Sequence, residues 1–306
     1  MRVIRPLSSS FTITDAMLTS STVSEPDTGE VAWNPATAYT AGDLAYLASN
    51  HTVYERLIGG TTATSPDADT TNWAEYGKTN KWAMFDTYRN SQTTAASPLT
   101  VVITPGEFVD SVAIAGMENV DDIVLTVTRS GVEIDRREED LSTREVLDWE
   151  DYFYEPFTTK SVIAFFDIPS YTDAVITITF TADAGDVSVG AVITNLSKYI
   201  GTVRPSAVSD VLNFSSVTRD EFGNSEMVQR RNVPKTIQEI IVGKERVNMI
   251  RGLRDDLNAT PAAWIGMDDS DHDYYEAIFM IGFYKKFSID MRHPRHAVIS
   301  LEIEEI

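Results

Sequence analysis

The sequence predicts a mainly β, multidomain protein: a small aromatic-rich β module, a jelly-roll-like β-sandwich and a small α+β C-terminal region. Three observations carry this. The chain has 306 residues, more than a single hydrophobic core usually serves. Its middle is a succession of short β-branched runs separated by Gly, Pro and Asp. One stretch near the C-terminus places apolar residues at helical spacing.

Residues 1–30 are rich in Ser and Thr and hold only the short apolar pieces RVI and FTITDAML. They read as an extended N-terminal arm or linker. Residues 31–77 form an aromatic block whose apolar residues are spaced for short strands. Turn signals separate them: TAGD at 40–43, SNH at 49–51, GG at 59–60 and SPDAD at 65–69. A unit this small has little core, so its tryptophans must supply much of it.

Residues 78–205 read as the β-sandwich. The runs LTVVITP (99–105), FVDSVAIAG (108–116), DIVLTVTRSG (122–131), SVIAFFDIP (161–169), DAVITITFTAD (173–183) and DVSVGAVITN (186–195) are the strands. Within AVITITFTA, Ile176, Ile178 and Phe180 share one face, and Val175, Thr177, Thr179 and Thr181 the other. That alternation belongs to a half-buried strand. In residues 206–306, GKERVNMIRGLRDDLN (243–258) carries Val247, Ile250, Leu253 and Leu257 at helical spacing, and Thr260-Pro261 ends it. AIFMIGFY (277–284) and HAVISLEIEEI (296–306) follow as strands, the latter with Ile299, Leu301 and Ile303 on one side.

Composition narrows the function. The formal net charge is −21 and no basic stripe is present, which disfavours nucleic acid and anionic lipid as partners. The chain has no cysteine, so disulfides and thiolate metal sites are excluded. MRVIRPLSSSF lacks the apolar region of a secretory signal, and no run approaches a membrane span, so a soluble protein made in the cytosol without membrane insertion is expected.

A search for chemistry finds no completed motif. The four histidines, His51, His272, His293 and His296, lack the carboxylate or third histidine of a metal site. DDSDHDYY (268–275) places Asp269, Asp271 and Asp273 like the start of a calcium loop. Tyr274 stands where that loop needs Gly and Met280 where it needs Glu, so an acidic turn is the expectation. The acidic stretch 133–156 could hold the carboxylate pair of a glycosidase, but Arg136, Arg137 and Arg144 among its acids favour a solvated, salt-linked edge. Phosphate-loop, dinucleotide and nucleophile-elbow patterns are missing. No enzyme, metal or cofactor is expected.

Trp33, Tyr39, Tyr46, Tyr54, Trp73 and Tyr76 remain. Exposed rings of this kind can stack on sugars, or they can be the only core a tiny module has. The pattern Trp33, Tyr39, Gly42, Asp43, Tyr46, Tyr54, Pro66, Trp73 resembles the small chitin-binding modules of bacterial chitinases. In that family most of these positions build the fold, and the sugar-stacking pair lies just after the tyrosine matching Tyr54. Here that segment reads YERLIGG, with Leu57 and Ile58 in place of aromatics. The resemblance implies the module fold, with the six aromatics as candidate carbohydrate contacts. The other reading is a spacer or protein-contact module.

A wider resemblance runs over nearly the whole chain. GKTNKWAMFD (77–86), the β-rich middle, then TPAAWIG, GFYKKFSIDM and the closing SLEIEEI follow an order similar to tail-tip or baseplate proteins of tailed bacteriophages. This implies a virion structural protein, assembled in the host cytoplasm into an oligomeric ring. Its partners would be other copies of itself, other tail proteins and host cell-surface glycan.

Overall fold

The computed structural model describes residues 1–8, 11–143, 148–154, 158–219 and 221–306. The fold is mainly β, as the alternating runs predict, with several sheets packed in layers.

The sandwich has a five-stranded antiparallel sheet running Val132–Asp140, Asp122–Arg129, Ala174–Thr181, Leu99–Ile103, Leu18–Ser21 in spatial order. Facing it lies a three-stranded sheet of Val162–Phe165, Ser111–Ala115 and Ala191–Asn195. Leu125, Val127, Ile176, Ile178 and Phe180 from the first sheet meet Val112, Ile114, Ile163 and Val192 from the second in one core. Ala174–Thr181 alternates buried and half-buried along its length, so the apolar face that the sequence picks out is the one turned inward.

The strand Ser111–Ala115 is buried at every position. Its other face, with Ala115, Ala113, Ala191 and Ile193, forms a second core against Ile4, Ala263, Ile265, Phe279 and Ile281. These belong to an eight-stranded C-terminal sheet. Alanines on both sides let the two sheets approach closely. The far face of that large sheet packs Trp264, Ile240, Ile299, Leu301 and Ile303 against Ile250 and Leu257 of the helical segment. The helix spans Val247–Asp256 after a 3-10 turn at Lys244–Arg246. The molecule is therefore layered: five strands, three strands, eight strands, helix.

The N-terminal segment differs from the expected extended arm. Arg2–Ile4 is a strand inside the C-terminal sheet, antiparallel to Ser197–Tyr199 on one side and Ala262–Ile265 on the other. The Met1 ammonium is buried and donates to the Gly201 carbonyl at 2.6 Å. Farther on, Leu18–Ser21 is an edge strand of the sandwich, and Ile13 and Val23 sit in its core. The reason is physical: a three-residue strand is too short to show a period, and its partners lie almost 200 and 260 positions away. Apart from that first strand, the C-terminal sheet takes up the chain at Ser197, earlier than the expected boundary at 205/206.

One element leaves the body. Val208–Asn213 pairs with the start of Asn232–Gly243, and beyond them Ser216–Arg219 pairs with Ser225–Val228. Together they make a long β-hairpin, exposed at nearly every described position from 204 to 232.

Candidate functional site

The aromatic module is a three-stranded antiparallel sheet of Leu44–Leu47, Thr52–Arg56 and Trp73–Lys78. Gly42 sits at φ +92°, a conformation that side chains resist, and this is why the turn before Asp43 needs glycine. Asp43 closes that turn by accepting the Thr40 N–H at 2.6 Å, and these hydrogen bonds hold its carboxyl below the ordinary range.

The structure divides the six candidate aromatics. Tyr39, Tyr54 and Trp73 are buried together, with Trp33 packed against them. Tyr39 meets the Trp73 ring edge-on at 5.0 Å, and the Arg56 guanidinium lies 5.0 Å from the same indole. The Tyr39 hydroxyl accepts from the Asn34 N–H and the Tyr54 hydroxyl from the Asn50 amide, both at 2.8 Å. These rings are occupied by the module itself. Tyr46 is also buried, but it and Tyr76 line a different place, an open groove of about 410 Å³ between the module and the sandwich. Glu30, Leu44, Lys78 and Gln92 complete its wall. Tyr76, 66 % exposed, is the one exposed residue of the six, and Trp33 is half-buried. Leu57 and Ile58 are exposed as well.

The groove is held by a polar knot built on Glu25. Its carboxylate accepts from Thr79 Oγ1 at 2.9 Å and Trp82 Nε1 at 3.1 Å, and His51 Nδ1 lies 2.9 Å away. The His51 ring stacks on Trp82 at 4.1 Å. Burial would raise the Glu25 carboxyl, but the hydrogen bonds from His51 and Thr79 outweigh it and hold the group below its ordinary value. The knot ties the module to the sandwich. No sequence pattern marks Glu25, because its partners come from two separate segments, at 51 and at 79–82, both distant from it in the chain.

The other candidate chemistry has structural work. Asp271 pairs with Lys160 at 2.7 Å, Glu276 accepts the Ser161 N–H at 2.6 Å, and Asp268 pairs with Arg2 at 3.2 Å. The acidic turn 268–276 is thus a clasp between the C-terminal sheet, the sandwich and the first strand. His272 accepts the Tyr274 N–H, and His293 stacks on His296 at 3.6 Å. Among the described residues no group of three or more His, Asp or Glu side chains could hold a metal ion. In the acidic stretch 133–156, the part up to Asp140 is an edge strand where Arg137 pairs with Asp135 and Arg136 with Glu138. Arg144 and the residues 145–147 and 155–156 lie outside the described residues.

The aromatic helix Trp149–Tyr154 escaped the sequence reading. Trp149, Tyr152, Phe153 and Tyr154 are all exposed. The rings stand in DWEDYFYEP, but a helix of six residues is too short to show a period. No protein-family model matches the chain, and no curated protein matches it.

Proposed function

We propose that this chain is a non-enzymatic structural protein of a phage tail tip or baseplate that assembles into a ring of identical copies. It would reside in the virion, contact other tail proteins and turn its aromatic module towards host cell-surface glycan. The hairpin 208–228 carries this reading. An isolated two-stranded hairpin is marginal in water. This one presents Val208, Val211, Phe214, Val217, Met227 and Val228 to solvent, and a second chain is the natural source of the missing cover. The layered body supports the reading too: it holds the hairpin root rigidly, with Arg231 paired to Glu305 and Lys235 to Glu302. The test is electron microscopy and light scattering on the purified chain, together with mass spectrometry of purified particles of the encoding phage. Rings and presence in particles are the expected result. A protomer that stays alone and is missing from particles would refute it.

The second reading is a stand-alone carbohydrate-binding protein, or the binding part of a polysaccharide-degrading tail enzyme. Tyr76 favours it, because an exposed ring beside Lys78 and Gln92 in a groove suits one sugar face. A glycan array, with reducing-sugar release from host polysaccharide, separates these readings.

A further inference from the structure

We propose that the basic end of the C-terminal sheet is the surface on which a second copy of this chain sets the acidic end of its sandwich. The proposal rests on the ring-forming reading above and names a contact within that ring.

The basic end stands out in an acidic chain. Residues 243–256 and 285–296 hold eight Lys and Arg against four Asp and Glu. The total is −21, so the rest of the chain carries −25. Folding brings the two segments together: Gly243 pairs with His296, and the Tyr284 hydroxyl donates to the Arg254 carbonyl at 2.9 Å. Four of the bases are engaged within the copy. Arg292 pairs with Asp290, Arg254 with Asp255 and Lys285 with Glu304, and Arg246 lies 5.3 Å from the Tyr199 ring. The other four, Lys244, Arg251, Lys286 and Arg295, have no acidic partner among the described residues, and Lys244, Arg251, Lys286 and Arg295 are all exposed. Met249 and Met291 on the same segments are exposed too, so apolar surface accompanies the charge.

The acidic end closes the five-stranded sheet. Asp140 lies directly opposite Asp122, and the Asp183 N–H donates to the Asp121 carboxylate at 2.7 Å. Like charges directly opposite each other destabilise a strand pair. Partial burial, then Asp140, Asp121, Asp183 and Glu138, hold the Asp122 carboxyl above its ordinary range. Of these five acids only Glu138 pairs with a base, Arg136, among the described residues. A cationic surface laid over this end would relieve the crowding.

The two ends cannot neutralise each other within one copy. The acidic end is joined to the turn 268–276: the Leu141 N–H donates to the Asp121 carbonyl, the Lys160 N–H to the Leu141 carbonyl, and Lys160 pairs with Asp271. Phe279–Asp290 leaves that turn and runs for 12 residues before the basic turn 291–295. A strand of that length spans on the order of 35 Å, against a Debye length of about 8 Å at physiological salt. Each copy therefore keeps a free end of each sign. At that screening the local sign, rather than the net charge, decides which surfaces of two copies can touch. Basic end on acidic end joins different patches, so the contact is heterologous and head-to-tail, the kind that closes rings.

The test is sedimentation velocity on the full chain from micromolar to near-millimolar concentration, in 0.1 M and in 1 M salt. Near-ultraviolet dichroism checks that each variant is folded. Lys244→Glu with Arg295→Glu, and separately Asp122→Lys with Asp183→Lys, should each weaken self-association by about tenfold or more at the lower salt. The chain carrying all four substitutions should recover most of that loss. High salt should weaken the unaltered chain by a similar factor, because the Debye length falls from about 10 Å to about 3 Å. Association that ignores both reversals, or reversals that do not rescue each other, overturns this contact and leaves the ring reading standing. So does a basic-end variant that loses another tail protein while self-associating normally. A chain that stays monomeric at low salt overturns the contact, and its absence from particles overturns the ring reading as well.

Discussion

Asp86 shows how one residue can set a pH dependence. Its carboxyl is buried and accepts the Tyr88 N–H at 2.8 Å, and burial pushes it from 3.8 up to about 6. Between these values the folded state keeps a proton that the unfolded state has released. Stability therefore falls as pH rises through that window, and the penalty is constant above it. Asp86→Asn should stabilise the protein by about 2 kcal/mol near pH 8, with the gain fading as pH falls from about 6 to about 4, as thermal melts across pH will read. The aromatics separate by the same logic of burial. Trp73→Ala removes a ring that is 2 % exposed, and should cost about 3–5 kcal/mol in thermal or urea melts. Tyr76→Ala should leave the melting temperature unchanged and lower any glycan-array signal, since that ring supports nothing beneath it.

At the scale of elements, the seam between the sandwich and the C-terminal sheet depends on small side chains. Ala113 and Ala263 are both fully buried there. Ala113→Leu should overpack it and cost about 1–3 kcal/mol in urea denaturation. The first strand matters as much. Ile4 is fully buried between two antiparallel neighbours, so Ile4→Asp places an unpaired carboxylate in that core. A loss of at least about 3 kcal/mol is expected, seen as early proteolysis of the C-terminal sheet. Removing residues 1–30 would thus take strands from both large sheets rather than trim an arm. The hairpin is the opposite case. Between Ser206 and Arg231 none of its described residues adds a side chain to the buried clusters, so its replacement by a short turn should leave the melt unchanged and abolish self-association.

At the scale of the whole molecule, the layers make one continuous body, because the sheet built on Ser111–Ala115 is buried on both faces. Domain borders drawn along the chain therefore do not coincide with mechanical borders. The rigid body and the exposed hairpin are complementary: the first orders the root, and the second carries apolar surface outward. Much of this was legible from residues. Ile176, Ile178 and Phe180 announced an inward face, Val247, Ile250, Leu253 and Leu257 a helix, and Gly42-Asp43 a tight turn. The division of the six aromatics was not legible. Trp73 and Tyr76 lie three residues apart in one strand, and only the packing above each decides which ring is core and which is surface.

Local periodicity and turn chemistry, which act over a few residues, determined by themselves that this is a mainly β chain with a small aromatic module and one amphipathic helix. The tertiary structure decided the rest: Arg2–Ile4 inside the far sheet, Glu25 beneath His51 and Trp82, and four aromatics of 149–154 left facing solvent. Those outcomes depend on contacts between segments tens to hundreds of residues apart, and burial at one position is set by what another segment brings over it.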